Sequence, residues 1–136
     1  MPESELDRIR EALESETIAV VGCSSTPGKA AHDVPRYLLE QGYDVIPVNP
    51  NAEEIFDRPA ADALSDVDQE IDVICVFRPS EEVAGIVEEV LERDDIETVW
   101  TQLGIRDDEA AERVEESGRA AVQDRCMKVQ HRRRLA

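Results

Sequence analysis

The sequence predicts an α/β fold: a Rossmann-like three-layer fold with a five-stranded parallel sheet in the order 2-1-3-4-5 between two layers of helices. Three observations carry this expectation. Short β-branched runs alternate with longer helical patterns, the signature of a parallel α/β sheet. Several runs are apolar throughout, as strands covered on both faces must be. The first run leads straight into a loop of glycine and small residues that opens a helix. A chain of 136 residues fits one domain that can bury its own core, expected to span 1–136 with a leading helix in 1–16 and a basic tail in 125–136.

The leading helix is read over Glu3 to Leu13, where Leu6, Ile9 and Leu13 share one side. The strands are expected at Thr17 to Gly22, Asp44 to Val48, Asp72 to Phe77, Glu97 to Thr101 and Ala120 to Gln123. Between the first two, Val34, Tyr37 and Leu38 recur at helical spacing from about Asp33 to Gln41; Pro35 is tolerated in the first turn and Gly42 stops the helix. The long crossover from Asn49 to Gln69 leaves room for a short edge strand near Glu54 to Phe56, beside the second strand. A third helix starts at Ser80, read as its N-cap, with Val83, Ile86, Val87, Val90 and Leu91 as its apolar stripe. Asp107 caps a fourth, which ends at Gly118. With right-handed crossovers the chain reverses direction between strands one and three, so a ligand crevice is expected at the carboxyl ends of those strands.

The net charge of −17 excludes several classes of partner. Nucleic acid and anionic membranes are bound through Lys and Arg, and a surface this acidic repels both. Few aromatics and many acids also describe disordered chains, but the apolar runs are periodic, which favours folding. Such a surface suits a salt-rich cytoplasm that screens self-repulsion, a halophilic reading. The opening residues lack the basic and apolar regions of a secretory signal, and no apolar run is long enough to span a bilayer. The expected localisation is therefore cytoplasmic. Cys23, Cys75 and Cys126 are widely spaced without a C-x-x-C, and only His32 and His131 could join them, so reduced thiols and no metal site are expected.

The segment GCSSTPGKAAHDVP runs from the first strand into a helix N-terminus, where backbone N–H groups and the helix dipole can hold a phosphate. Gly22, Ser24, Ser25 and Lys29 are its candidate ligands. A glycine turn with no ligand has the same appearance. Two nucleotide motifs fail here. The dinucleotide fingerprint needs glycine where Ser24 stands and an acid where the second strand ends in Asn49-Pro50. A P-loop needs four residues between its glycines and Ser or Thr after the lysine, but five separate Gly22 from Gly28 and Ala30 follows Lys29. Arg78 stands before a helix N-terminus at the end of the third strand, so its fork and the helix dipole could act on one phosphate, unless it pairs with local acids.

Taken in order, VVGCSSTPGKAAHDVPRYLLEQGYDVIPVNP, VFRPSEEV, WTQLGI and DRCMKVQH resemble the bacterial and archaeal family of small stand-alone CoA-binding proteins, over Thr17 to His131. That family's fold is similar to the CoA-binding domain of the succinyl-CoA synthetase alpha subunit. The resemblance implies coenzyme A or acyl-CoA as the small-molecule ligand. It implies that Gly22 to Lys29 holds the pyrophosphate and that Asn49 and Pro50 lie beside the adenosine. Phe77, Arg78 and Pro79 would line the pantetheine or phosphate path, with Gln102, Leu103 and Gly104 closing the far wall. The chain departs from the synthetase subunit in having no second domain and no histidine loop to accept phosphate, which leaves binding without catalysis as the leading function. The alternative is a thiol-dependent acyl or disulfide transfer enzyme using Cys23 or Cys126. The basic run after His131 could fold onto a 3′-phosphate or pair with surface acids, and the abundance of acids favours pairing.

The charge generates a first prediction. Thermal melts from low to multimolar potassium chloride should show the melting temperature rising with salt, because screening removes self-repulsion. A melting temperature independent of salt contradicts the halophilic reading.

Overall fold

Five apolar runs form one parallel sheet, and the polar segments between them carry the chain back across its faces. The structure is a computed structural model describing residues 4–134. The order is α1 (Glu5–Leu13), β1 (Thr17–Val21), α2 (Ala30–Glu40), β2 (Asp44–Val48), β3 (Glu54–Ile55), β4 (Arg58–Pro59), a 3-10 turn (Leu64–Asp66), β5 (Val73–Val76), α3 (Ser80–Leu91), β6 (Thr98–Thr101), α4 (Asp108–Glu116), β7 (Ala120–Val122) and α5 (Met127–Arg134). The sheet runs β2-β1-β5-β6-β7, the expected 2-1-3-4-5 order of the long strands. Glu3, read as the first residue of the leading helix, lies outside the described residues. The helix itself starts on a capping box: the Ser4 hydroxyl accepts from the Asp7 N–H and the Asp7 carboxylate accepts from the Ser4 N–H.

Both faces of the sheet are covered, which explains why β5 and β6 are buried at every position. On one face, Ile74, Val76 and Val99 of the sheet pack with Val83 and Val87 of α3 and Val114 of α4. On the other, Ile18, Val45 and Trp100 of the sheet pack with Leu13 of α1, Leu38 of α2 and Met127 of α5. Fully burying each such side chain contributes about 1.5–3 kcal/mol. Trp100 is completely buried, and its indole N–H donates to the Arg125 carbonyl at 2.8 Å, so its one polar atom is satisfied.

A strand does form near Glu54 to Phe56, but as β3 it pairs antiparallel with β4 in a separate small hairpin and does not extend the main sheet beside β2. Phe56 and Asp57 turn that hairpin with positive φ of 58° and 61°. The open edge of β2 is closed by other means. Ala61 donates to the Pro47 carbonyl at 3.0 Å, Arg58 donates to the Val45 carbonyl at 3.1 Å, and Pro47 offers no N–H to a stranger.

Two expectations need correction. Ser80 is not the N-cap of α3. Pro79 holds that position without a side-chain bond, while the Ser80 hydroxyl accepts from the Arg106 N–H at 3.0 Å and so ties α3 to the loop after β6. The 125–136 segment is not merely a tail pairing with surface acids. Its residues up to Arg134 include α5, whose Met127, Gln130 and His131 are buried while Arg132 and Arg133 face outward. Tyr37 and the Nδ1 of His131 share a hydrogen bond of 2.7 Å, and burial lowers the His131 pKa from its ordinary value. Among the described residues no helix is long and apolar enough to cross a membrane.

The crossover between β4 and β5 is tied to the end of α3 by Arg93. Its guanidinium donates to the Leu64, Val67 and Gln69 carbonyls and, through two nitrogens, to both Asp95 oxygens at 3.0 and 2.8 Å. Asp95 also accepts from the Ile71 N–H at 2.8 Å. The Arg93 fork therefore holds the Asp95 carboxyl down at about 2. A carboxyl depressed in the fold contributes stability that is fully present above its unfolded pKa near 4 and is lost as pH falls toward 2. Allowing for partial exposure, urea titrations should find Asp95→Asn about 1–2 kcal/mol less stable than the parent near pH 6. The gap should close as pH approaches 2; a gap of constant size over pH 2–6 contradicts the assignment.

Candidate functional site

The crevice is built by three strand ends. The Gly22 N–H donates to the Val48 carbonyl at 2.9 Å and the Phe77 N–H donates to the Val21 carbonyl at 2.9 Å, so β1, β2 and β5 finish at one level. The chain leaves β1 through Gly22, whose φ of +88° L side chains rarely adopt. A Cβ there would also lie 2.8 Å from Arg78 Cδ and 3.3 Å from the Phe77 carbonyl carbon. The aliphatic stem of Arg78 thus lies flat across Gly22, and any larger residue would lift it.

Asn49 ties the second strand end to the loop. Its amide nitrogen donates to the Cys23 carbonyl at 2.9 Å, and its side-chain oxygen accepts from the Asn51 N–H at 2.8 Å. Within the loop, the Ser24 hydroxyl accepts from the Thr26 N–H at 3.0 Å, while Ser25 and Lys29 are exposed. Gly28, with φ of +95°, donates its N–H to Asp33 Oδ1 at 3.1 Å. That bond, followed by one from His32, lowers the Asp33 pKa below the usual carboxylate value.

The helices that follow β1 and β5 begin differently from α1 and α4. Side chains of Ser4 and Asp107 cap α1 and α4, but α2 begins at Lys29 and α3 at Pro79 with no side-chain cap. A helix start leaves its first N–H groups without intrahelical partners and carries partial positive charge. One such start ends the loop that leaves β1, and the other follows β5 directly after Arg78.

Of the residues singled out from sequence, Gly22, Asn49, Pro50 and Arg78 line one cleft of about 300 Å³. Ser24, Ser25 and Lys29 lie on the adjoining loop, and Pro79 on the α3 start. Phe77 is half-buried against the α1–α2–α5 core. Gln102 is buried, with its oxygen accepting from the Met127 N–H at 3.0 Å and from the Cys75 thiol at 3.5 Å; it anchors α5. Gly104 donates its N–H to Asp124 at 2.6 Å in a turn that leaves Leu103 70% exposed. Larger hollows of about 620, 640 and 390 Å³ run along the β2 edge, across the opposite end of the sheet and beside Arg93, and contain none of these residues.

The pairing of Arg78 with local acids, left open by the sequence, is realised with Glu82, while the cleft's other acids, Asp62 and Glu89, were not singled out from the sequence. Glu82 was within reach, standing four residues after Arg78 on the same helical start. Its carboxylate accepts from Arg78 Nε at 3.2 Å and Nη2 at 2.8 Å, and this raises the Arg78 pKa further.

The thiols differ in environment. Cys23 is buried, and desolvation pushes it up to about 12, so it is protonated at neutral pH. Cys75 is buried in β5 and also raised, while Cys126 is half-buried. His32 is buried, stacks 4.7 Å from Phe56 and turns Nδ1 toward Asp33 at 3.3 Å. Among the described residues no group of three or more His, Cys, Asp or Glu is arranged to hold a metal ion.

The reversed parallel sheet and its crevice place the chain in the Rossmann-like class. Within that class it belongs to the CoA binding domain family, whose model matches residues 16–132. It is 40% identical to the YneT protein of Bacillus subtilis (strain 168) over 124 residues, covering 90% of this chain and 91% of that protein. A solved structure from Thermus thermophilus shares 40% identity and superimposes with a TM-score of 0.88, covering 96% of this chain and 98% of the other. The ADP-forming acetate–CoA ligase II of Archaeoglobus fulgidus is 26% identical over 87 residues, which cover 62% of this chain but only 13% of the ligase.

Proposed function

We propose that the chain binds coenzyme A or an acyl-CoA as a stand-alone module without catalysis of its own. The observation that carries this reading is that Gly22, Asn49, Pro50 and Arg78 line one cleft of a CoA binding domain, with the uncapped start of α3 just after Arg78 and that of α2 at the end of the loop that leaves Gly22. On a surface of net charge −17, that is where a phosphate finds donors without an intervening cap. In this reading the pyrophosphate lies along Gly22, Ser24, Ser25 and Lys29, and the adenosine beside Asn49 and Pro50. The remaining ligand passes Phe77, Arg78 and Pro79 toward Gln102 and Gly104. Asn49 contributes mainly by fixing the loop, through its bond to the Cys23 carbonyl. Gln102 acts through backbone position, since its side chain is engaged with α5.

Transfer chemistry through Cys23 is disfavoured by the burial that keeps its thiol protonated, because the thiolate is the nucleophile. A small relative of a ligase's CoA-binding portion, spanning 13% of that ligase, is suited to present or sense the coenzyme.

Arg78→Ala should weaken CoA binding about ten- to a hundredfold, the value of one charge-assisted phosphate bond of roughly 1.5–3 kcal/mol. Arg113→Ala serves as the charge control, because Arg113 lies on α4 facing Glu88 at 3.7 Å. Calorimetric titration of CoA into parent and both variants reads the difference. Equal affinity of the two variants would remove Arg78 from the phosphate path.

A further inference from the structure

Among the described residues Arg78 is the one basic side chain on the wall of the 300 Å³ cleft, and it is held at both ends. Its stem rests on Gly22, where a Cβ would approach to 2.8 Å. Its head meets both oxygens of Glu82, at 3.2 Å through Nε and 2.8 Å through Nη2. That two-pronged contact is the geometry in which a guanidinium takes a phosphate. Glu82 therefore occupies the same donors that a ligand phosphate would use.

We propose that Glu82 is a built-in competitor for the ligand's phosphate, setting the affinity of the site and its discrimination among anions. The inference rests on the CoA-binding reading. Three features make the exchange workable. Both side chains are 48% exposed, so the pair is solvated and each partner can turn away without crossing the core. Glu82 sits in the first turn of α3, where the helix dipole still favours its charge after release. The loop repeats the arrangement, since the Gly28 N–H is held by the Asp33 carboxylate. A small anion that offers only one contact does not repay the loss of the pair. A ligand that also engages the loop and the adenosine wall does. The pair thus selects against inorganic phosphate and for a ligand with several anchoring groups.

The test compares parent, Glu82→Gln and Glu89→Gln, each alone and combined with Arg78→Ala, by calorimetric titration with CoA and with inorganic phosphate at constant ionic strength. Glu89 lines the same cleft and reports the through-space effect of removing one carboxylate. Glu82→Gln should tighten CoA about two- to fivefold beyond Glu89→Gln, the range expected for an exposed ion pair. It should also render inorganic phosphate binding stronger than in the parent. Both gains should vanish in the Arg78→Ala background. Equal gains from the two glutamines, or a Glu82→Gln gain that survives Arg78→Ala, overturn the competitor while leaving CoA binding intact. Failure of every form to bind CoA overturns both readings together.

Discussion

The crevice depends on how β1 ends. Held between β2 and β5, it must stop where both neighbours stop, and the bonds from Gly22 to Val48 and from Phe77 to Val21 fix that level. The chain then has to leave the sheet in a left-handed conformation, which Gly22 supplies. The absent side chain at this position is also what lets the Arg78 stem lie across the strand end. One backbone requirement thus sets the course of the loop and the position of the cleft's arginine. The first turn of α3 follows at Ser80, soon after β5 ends at Val76, while the loop that leaves Gly22 carries the chain to the start of α2 at Ala30.

Charge is distributed according to a second constraint. Several arginines serve the main chain and are unavailable to a ligand. Arg93 clamps the crossover carbonyls, Arg119 donates to the Ile96 and Arg93 carbonyls, and Arg58 closes the β2 edge. Charge-assisted bonds from one guanidinium to several carbonyls satisfy acceptors that would otherwise lack partners. In a chain with only Lys29 and Lys128 as lysines, this leaves few cations for anion binding. The cleft's carboxylates then become part of its chemistry, because they compete for the same donors.

The sheet was legible in the sequence because strands buried on both faces must be apolar throughout, and the five runs were placed to within about a residue at most ends. The crevice followed from strand order. Gly22, Asn49, Pro50 and Arg78 converge there because their strands do. Helix α5 was not legible: KVQHRRR has no apolar stripe, and the buried side consists of Met127, Gln130 and His131, two of them polar. Their i, i+3, i+4 spacing was the available signal, outweighed by the basic run that follows. Ser80 looked like a cap because serine usually is one, but tertiary structure gave its hydroxyl to Arg106. Gln102 has an apolar neighbourhood in sequence that does not reveal which way its amide turns, and α5 decided it.

Native mass spectrometry of freshly purified protein tests the central claim most directly. Incubated with equimolar CoA, NAD, ATP and FAD, the folded chain should retain a one-to-one adduct with the mass of CoA, or already carry CoA or an acyl-CoA from the cell. A saturable NAD, ATP or FAD adduct with no CoA adduct would contradict the account.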